Sequence, residues 1–176
     1  MKRLMSAGAA LLMLAGAALA DDGGAAKGGG KEIMADWRIE CVQAAGCTLA
    51  SEEVNGHRMQ ISRQLGRKAW EVVLSLPEVA DAGAGLEYAV DGGAAQRIPP
   101  EFIEDRAGGR ALAVRPEVTD VVVRDLKKGT KQARWRYRTK AGKEVRVDLP
   151  LAAFRPMLES MEKMLAEMGA MKQMGK

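Results

Sequence analysis

Histidine and cysteine are scarce in this chain of 176 residues, and their scarcity excludes several kinds of site. His57 is the only histidine, and Cys41 and Cys47 are the only cysteines. A single histidine cannot build a histidine-rich metal site, and no serine or cysteine pattern accompanies it to form a catalytic triad. The C-x-x-C spacing of redox enzymes and a glycine-rich phosphate loop are also missing. We therefore expect a protein that is not an enzyme and that carries no catalytic residues, metal or cofactor.

The N-terminal residues have the pattern of a secretory signal peptide. Lys2 and Arg3 precede an apolar run over residues 7–20, which ends in the small-x-small sequence Ala-Leu-Ala. This run is too short for a membrane span, and two aspartates and a glycine tract follow it at once. We expect residues 1–20 to be removed by cleavage after Ala20, which leaves a periplasmic or secreted protein with no transmembrane segment.

Loss of the signal peptide changes the charge and the size of the protein. The formal net charge is +4 for the full chain, and removal of the two basic residues leaves +2 over 156 residues. Residues 21–32 are rich in glycine and lack apolar periodicity, which predicts a flexible leader. Residues 33–172 match the length of one ordinary domain.

Short strand-like runs separated by turn signals dominate this domain. Residues 37–42 alternate apolar and polar side chains, and Asn55-Gly56 is a strong hairpin signal into residues 57–64. Residues 131–139 and 143–148 predict a further hairpin. Additional runs cover residues 47–54, 69–76, 86–90 and 111–115. The pattern predicts a mainly β (α+β) protein, with an antiparallel β-sandwich or barrel-like domain.

Two segments have helical features. From Leu151 apolar residues recur at steps of three and four, which predicts an amphipathic helix at about 151–172 that closes the domain. Earlier in the chain, Thr119 could cap a short helix over residues 120–128, whereas the three valines at 121–123 favour a strand.

The two cysteines flank a five-residue segment that contains a turn. In an oxidising compartment, an even and low cysteine count favours a disulfide between Cys41 and Cys47. Metal ligation and a redox function are the alternatives.

Methionine is concentrated in the C-terminal helix, where two adjacent columns make a wide apolar face. Such a face suits a core, a partner protein or a second copy of the chain, which predicts self-association through this helix. Thioether sulfurs also suit Cu(I), so a periplasmic copper-handling protein is the alternative function. The candidate residues are Met157, Met161, Met164, Met168 and Met171.

Basic and aromatic residues alternate in the predicted strand over residues 131–139. Because side chains alternate along a strand, Arg134, Arg136 and Arg138 share one face, and Trp135 and Tyr137 share the other. The export signal argues against nucleic acid as the partner. An envelope protein or an anionic envelope surface is the better functional interpretation. A merely solvated strand face is the default interpretation. His57 directly follows a turn and is expected to be exposed.

Several short motifs are spread over residues 36–161 of the exported chain. They are Asp36-Trp37-x-x-x-Cys41 with Cys47 nearby, Val90-Asp91-Gly92-Gly93, Leu126-Lys127-Lys128-Gly129, and Leu149-Pro150-Leu151-Ala152-Ala153-Phe154 before a helix. Together they resemble the invasion-associated locus B family of bacterial envelope proteins. The resemblance implies a small, secreted, mostly β protein, associated in some members with host-cell invasion, and it brings no catalytic residues.

One departure from the family pattern concerns a second cysteine pair. Family members often carry it after the Asp-Gly segment, in a pattern like F-x-x-C-x-x-x-G-C. Here Phe102 and Gly109 stand at those spacings, while Asp105 and Arg110 occupy the cysteine places. The departure implies either an opposite-charge pair in place of a disulfide or a protein outside the family. The expected function is an exported, non-enzymatic binding module of the envelope.

Overall fold

The computed structural model describes residues 31–34 and 36–174. The predicted signal peptide and most of the predicted leader lie outside the described residues. Lys31 and Glu32, which the composition assigns to the leader, belong to the first strand. The strands are β1 (Lys31–Met34), β2 (Trp37–Val42), β3 (Gly46–Ser51), β4 (Arg58–Gln64), β5 (Glu71–Ser75), β6 (Leu86–Val90), β7 (Gln96–Ile98), β8 (Ile103–Arg106), β9 (Ala111–Val114), β10 (Gln132–Arg138) and β11 (Glu144–Pro150). The helices are α1 (Pro116–Leu126) and α2 (Phe154–Met174).

The strands form two antiparallel sheets that share one hydrophobic core. The seven-stranded sheet has the order β1-β2-β3-β4-β5-β9-β8, and the four-stranded sheet has the order β11-β10-β6-β7. Neither sheet closes on itself, so the structure is a sandwich rather than a barrel. The predicted mainly β, antiparallel fold with a C-terminal helix is confirmed.

Alternating burial explains why the predicted strands form. In β2, Trp37, Ile39 and Cys41 are buried, whereas the residues between them are exposed. This period of two lets one face of the strand enter the core. The hairpin signal before β4 also works as predicted, because Asn55 and Gly56 both have positive φ, at 51° and 78°. Positive φ at both central residues is the geometry of a type I′ turn.

Helix α2 covers the part of the seven-stranded sheet formed by β2 and β3. The ring of Phe154 at its start packs on Trp37, with 4.9 Å between the ring centroids. The helix begins at Phe154 rather than at Leu151, since Ala153 has a φ of 61° and so interrupts helical geometry. Neither α1 nor α2 has the length and apolar character needed to cross a membrane, and no other helix of the described chain does.

Helix α1 begins earlier than the proposed cap. Pro116 occupies its first turn, where the missing N–H and the fixed φ of proline are favourable. Thr119 therefore lies inside the helix, fully buried, and its hydroxyl donates to the Trp70 carbonyl oxygen at 3.0 Å. The helix buries Val122 and Val123, so the alternative of a strand over these valines is wrong.

Candidate functional site

The predicted basic and aromatic strand is β10, and its two faces have different roles. Trp135 is 0% exposed and Tyr137 is 3% exposed, because both side chains point into the core. The prediction that they belong to a binding surface is wrong. Arg134, Arg136 and Arg138 lie on the opposite face, on the outside of the four-stranded sheet.

Most basic side chains of this region have a carboxylate partner. Arg134 donates from Nε to Asp148 Oδ1 at 2.7 Å, and this hydrogen bond is the main cause that holds the pKa of Asp148 below its ordinary value. Arg136 lies 3.2 Å from Glu87. Further ion pairs join Lys127 to Glu162, Lys128 to Asp125, Lys140 to Asp105 and Lys143 to Glu78. The predicted basic stripe is therefore largely neutralised.

A shallow cleft of about 360 Å³ remains on the outer face of the four-stranded sheet. We call it the arginine cleft. Its charged lining residues are Arg97, Arg136, Arg138, Glu87 and Glu144. Unlike Arg136, Arg97 and Arg138 are exposed and have no ion pair within the described chain. Arg97 and Arg138 belong to the same sheet, on β7 and β10, which are separated by β6. Guanidinium groups can bind an anion with paired N–H donors.

The sheet register explains how these arginines come together. Glu87 of β6 lies opposite Arg97 of β7 on one side and opposite Arg136 of β10 on the other. The loop before β6 forms one wall, and Gly85 in this loop has a φ of 77°. A Cβ at Gly85 would lie 2.8 Å from the Ile98 carbonyl oxygen, so glycine allows the loop to approach β7 closely.

Two other clefts are less suited to bind anions. One, of about 280 Å³ on the outer face of β2–β4, includes Glu40, Glu52 and Glu53 in its lining, so carboxylates prevail there. The other lies between α2 and the loop after β4, where Arg67 and Lys68 are exposed. Their backbone is a loop rather than a strand, which fixes side chains less well.

The C-terminal methionines are mainly part of the core. Met157, Met161 and Met168 are buried, and Met164 is partly buried and packs against the same core. Only Met171 in this group is well exposed, at 51%. Of the interpretations given for this face, the core is the one that the burial of these methionines supports, and self-association through the helix stays a prediction. The copper alternative loses the accessible thioether cluster on which it depends.

The predicted disulfide between Cys41 and Cys47 is confirmed. The two residues lie directly opposite each other on β2 and β3, and both are buried beneath α2. Cys41 Sγ lies 3.7 Å from Met164 Sδ, so a thioether of the helix covers the disulfide.

His57 is buried, which corrects the prediction that it is exposed. Its Nδ1 lies 3.2 Å from the Val54 carbonyl oxygen and 3.0 Å from that of Asn55, so Nδ1 is the nitrogen that donates. Its Nε2 then accepts from the Tyr137 hydroxyl at 3.0 Å. This hydrogen bond joins the two sheets. Burial is the main cause that raises the pKa of Tyr137 to about 12.

Asp91, in the Val-Asp-Gly-Gly motif, holds the chain that enters β10. One carboxylate oxygen accepts from the N–H and hydroxyl of Thr130, at 2.8 and 3.1 Å. The other accepts from the N–H groups of Lys131 and Gln132, each at 2.9 Å. The hydrogen bonds from Gln132 and Thr130 lower the pKa of Asp91 to about 2. The carboxylate is thus a structural anchor at an exposed corner.

Parts of two other motifs from the sequence analysis, Gly129 and Leu151, meet at the same corner. A Cβ at Gly129 would collide with side-chain atoms of Leu151 and Val90, so a larger residue would force these packed side chains to move. The N–H of Leu151 donates to the Lys131 carbonyl oxygen at 2.9 Å. These contacts assign the motifs a structural role.

The expected pair between Asp105 and Arg110 does not form. Asp105 lies 3.9 Å from Lys140, and Arg110 donates to the Pro77 carbonyl oxygen at 3.4 Å. No opposite-charge contact between the two residues takes the place of a second disulfide.

The fold and these sites define an antiparallel two-sheet protein, closed by a C-terminal helix, with an arginine-lined cleft on the outside of its smaller sheet. Comparison with family models, curated proteins and solved structures finds no match for this chain. The function is therefore inferred from the residues of this chain alone.

Proposed function

We propose that this is an exported, non-enzymatic envelope protein of the invasion-associated locus B type, which binds phosphate groups of an anionic envelope surface through the arginine cleft. The observation that carries the proposal is the pair of exposed guanidinium groups of Arg97 and Arg138. Neither forms an ion pair within the described chain, although Glu87 and Glu144 lie opposite them in the sheet. Arginine is well suited to phosphate because its planar guanidinium offers paired donors.

Two further observations support export and membership of this class. The disulfide between Cys41 and Cys47 is typical of a protein that folds in an oxidising compartment. The motif residues Asp91, Gly129 and Leu151 cooperate in one corner of the fold, as expected of a signature that preserves structure.

Vesicle co-sedimentation tests the binding proposal. The mature protein is mixed with phosphatidylcholine vesicles with and without phosphatidylglycerol, at low and high salt. We expect binding only to the anionic vesicles, and release by salt because the attraction is screened. Replacing Arg97 and Arg138 by glutamine should weaken binding by about 2 kcal/mol, or roughly thirtyfold, at about 1 kcal/mol for each basic residue near the surface.

The matched control replaces Arg67 and Lys68 by glutamine, which removes the same charge from the other basic cleft. This variant should bind like the unmodified protein. Equal loss in both double variants would mean that net charge alone drives binding, and unchanged binding after loss of Arg97 and Arg138 would reject the arginine cleft.

A further inference from the structure

Strand β11 forms one end of the four-stranded sheet, and its outer edge is unpaired in the described chain. The hydrogen bonds at the two ends of β11 show which of its residues direct their backbone groups toward β10 and which direct them outward. Leu151 donates to Lys131, and Thr139 donates to Lys143, so both of these facing pairs are hydrogen-bonded. Hydrogen-bonded and non-bonded pairs alternate along an antiparallel ladder.

This alternation determines which backbone N–H and C=O groups of β11 are free. Val145, Val147 and Leu149 direct their N–H and C=O groups toward β10. Glu144, Arg146, Asp148 and Pro150 therefore direct their backbone groups outward, and all except Pro150 have an N–H to donate. An edge with free donors and acceptors at alternate residues can accept another strand.

The side chains beside these free groups are charged and accessible. Arg146 and Asp148 lie on the outer face of the sheet, with side chains 54% and 35% exposed. Within the chain they are 3.6 Å apart, and Asp148 also accepts from Arg134, so a partner strand would extend an existing charge network. On the inner face, Val147 and Leu149 are already buried. The edge thus offers backbone hydrogen bonds and charges rather than an apolar patch.

We propose that β11 is a dimerisation edge, on which a second copy of this chain pairs its own β11 in antiparallel orientation, centred on Val147. In this register the whole of β11 overlaps with its counterpart. Arg146 lies opposite Asp148 of the partner subunit, and Asp148 lies opposite Arg146 of the partner subunit. Both are pairs of outward-directed residues, so each forms two backbone hydrogen bonds as well as an opposite-charge contact.

Neighbouring registers lack this complementarity. Backbone hydrogen bonds form only when residues that direct their N–H and C=O groups outward face each other on the two strands. One β11 can therefore shift along the other only by two residues at a time. Centring the pair on Arg146 would place two arginines opposite each other, and centring it on Asp148 would do the same with two aspartates. Like charges directly opposite are destabilising. The charges and the backbone hydrogen bonds thus favour the same register, the one centred on Val147, in which the two β11 strands overlap over their full length.

The twofold axis of this dimer would run perpendicular to the sheet, as in an isologous interface. Two four-stranded sheets would join into one sheet with both arginine clefts on the same face. Dimerisation does not depend on ligand binding, so its test is separate from the vesicle assay.

Analytical ultracentrifugation of the mature protein over a concentration series tests the proposal with charge-reversal variants. The unmodified protein should dimerise. R146D places aspartate opposite aspartate in both symmetric contacts, and D148R places arginine opposite arginine. Each variant alone should dimerise at least about tenfold more weakly, since two attractive pairs become repulsive. An equimolar mixture should form a heterodimer, because every contact is then an opposite-charge pair.

R146D removes the contact of Arg146 with Asp148 of its own chain, at 3.6 Å, but it also removes the like-charge pair of Arg146 with Arg136 of β10. D148R removes the ion pair with Arg134, so urea unfolding of both variants checks that each monomer remains folded. The matched control is R38D, an exposed arginine of β2 in the other sheet, which should dimerise like the unmodified protein. A monomer at all concentrations, an R146D dimer as tight as the unmodified one, or a mixture that does not associate would each overturn the proposal.

Amide hydrogen exchange gives a second readout that needs no variant. The N–H groups of Glu144, Arg146 and Asp148 should exchange more slowly as protein concentration rises. Those of Val145, Val147 and Leu149 are bonded to β10 and should be protected at every concentration. Fast exchange of the three outward groups in a sample that sediments as a dimer would place the interface elsewhere.

Discussion

Replacing Asp91 by asparagine should destabilise the protein although this residue is exposed. The carboxylate accepts three backbone N–H groups and one hydroxyl at the start of β10. Asparagine removes the charge and replaces one acceptor oxygen by an amino group, which cannot accept. Charge-assisted hydrogen bonds are strong, but water lowers their contribution at an exposed site. We therefore expect a loss of about 1 to 2 kcal/mol.

The pH dependence of this loss has a defined sign. The pKa of Asp91 falls from an ordinary value of 3.8 to about 2 in the folded protein. Its stabilising effect is therefore fully present above pH 3.8 and is lost as the pH falls through about 2. The difference in unfolding free energy between the unmodified protein and D91N should shrink toward zero over this range.

Urea unfolding and thermal unfolding, both followed by tryptophan fluorescence, measure these effects. At neutral pH the loss corresponds to a decrease in Tm of about 2 to 8 °C for a protein of this size. The matched control is D120N, which makes the same chemical change at an exposed position of α1. Equal stability of D91N and D120N, or a difference that persists unchanged at pH 2, would refute the anchoring role.

Three other substitutions have definite expectations in the same unfolding assay. Gly129→Ala should destabilise by about 1 to 3 kcal/mol because its Cβ meets packed side chains, and a neutral result would contradict that packing. Gly169→Ala should stabilise by about 0.5 to 1 kcal/mol, since this glycine lies inside α2 and its new Cβ would meet only Leu65, at an ordinary 3.9 Å. Tyr137→Phe should cost about 1 to 3 kcal/mol by leaving His57 Nε2 without its donor. Because burial raises the Tyr137 pKa from 10.0 to about 12, the unmodified protein also loses stability from pH 10 upward as the pH rises through about 12, and the variant should lack this component.

Local patterns in the sequence were sufficient to predict most strands and the closing helix. The alternation in β2, the Asn55-Gly56 turn and the apolar period of α2 are all properties of neighbouring residues. The strand β7 was not predicted, because its three residues have no period of their own and are held by pairing with β6. Arg97 of the arginine cleft was missed for the same reason.

The nature of the surfaces depended on contacts between distant parts of the chain. From the sequence, the methionine face of α2 suits a docking surface, but in the structure β2 and β3 cover it. His57 is buried because it contacts Tyr137, 80 residues later. Arg134 and Arg136 are neutralised by carboxylates on neighbouring strands. Strand register decides these contacts, and no short motif encodes it.

The most direct test of the central claim is to locate the anion-binding surface by amide chemical shifts, with short-chain phosphatidylglycerol titrated into the mature protein. The account predicts shifts confined to the arginine cleft, at Arg97, Arg136 and Arg138 and in the loop over residues 83–85. Shifts concentrated in α2 or in the outer face of β2–β4, or no shifts at concentrations where vesicles bind, would contradict it.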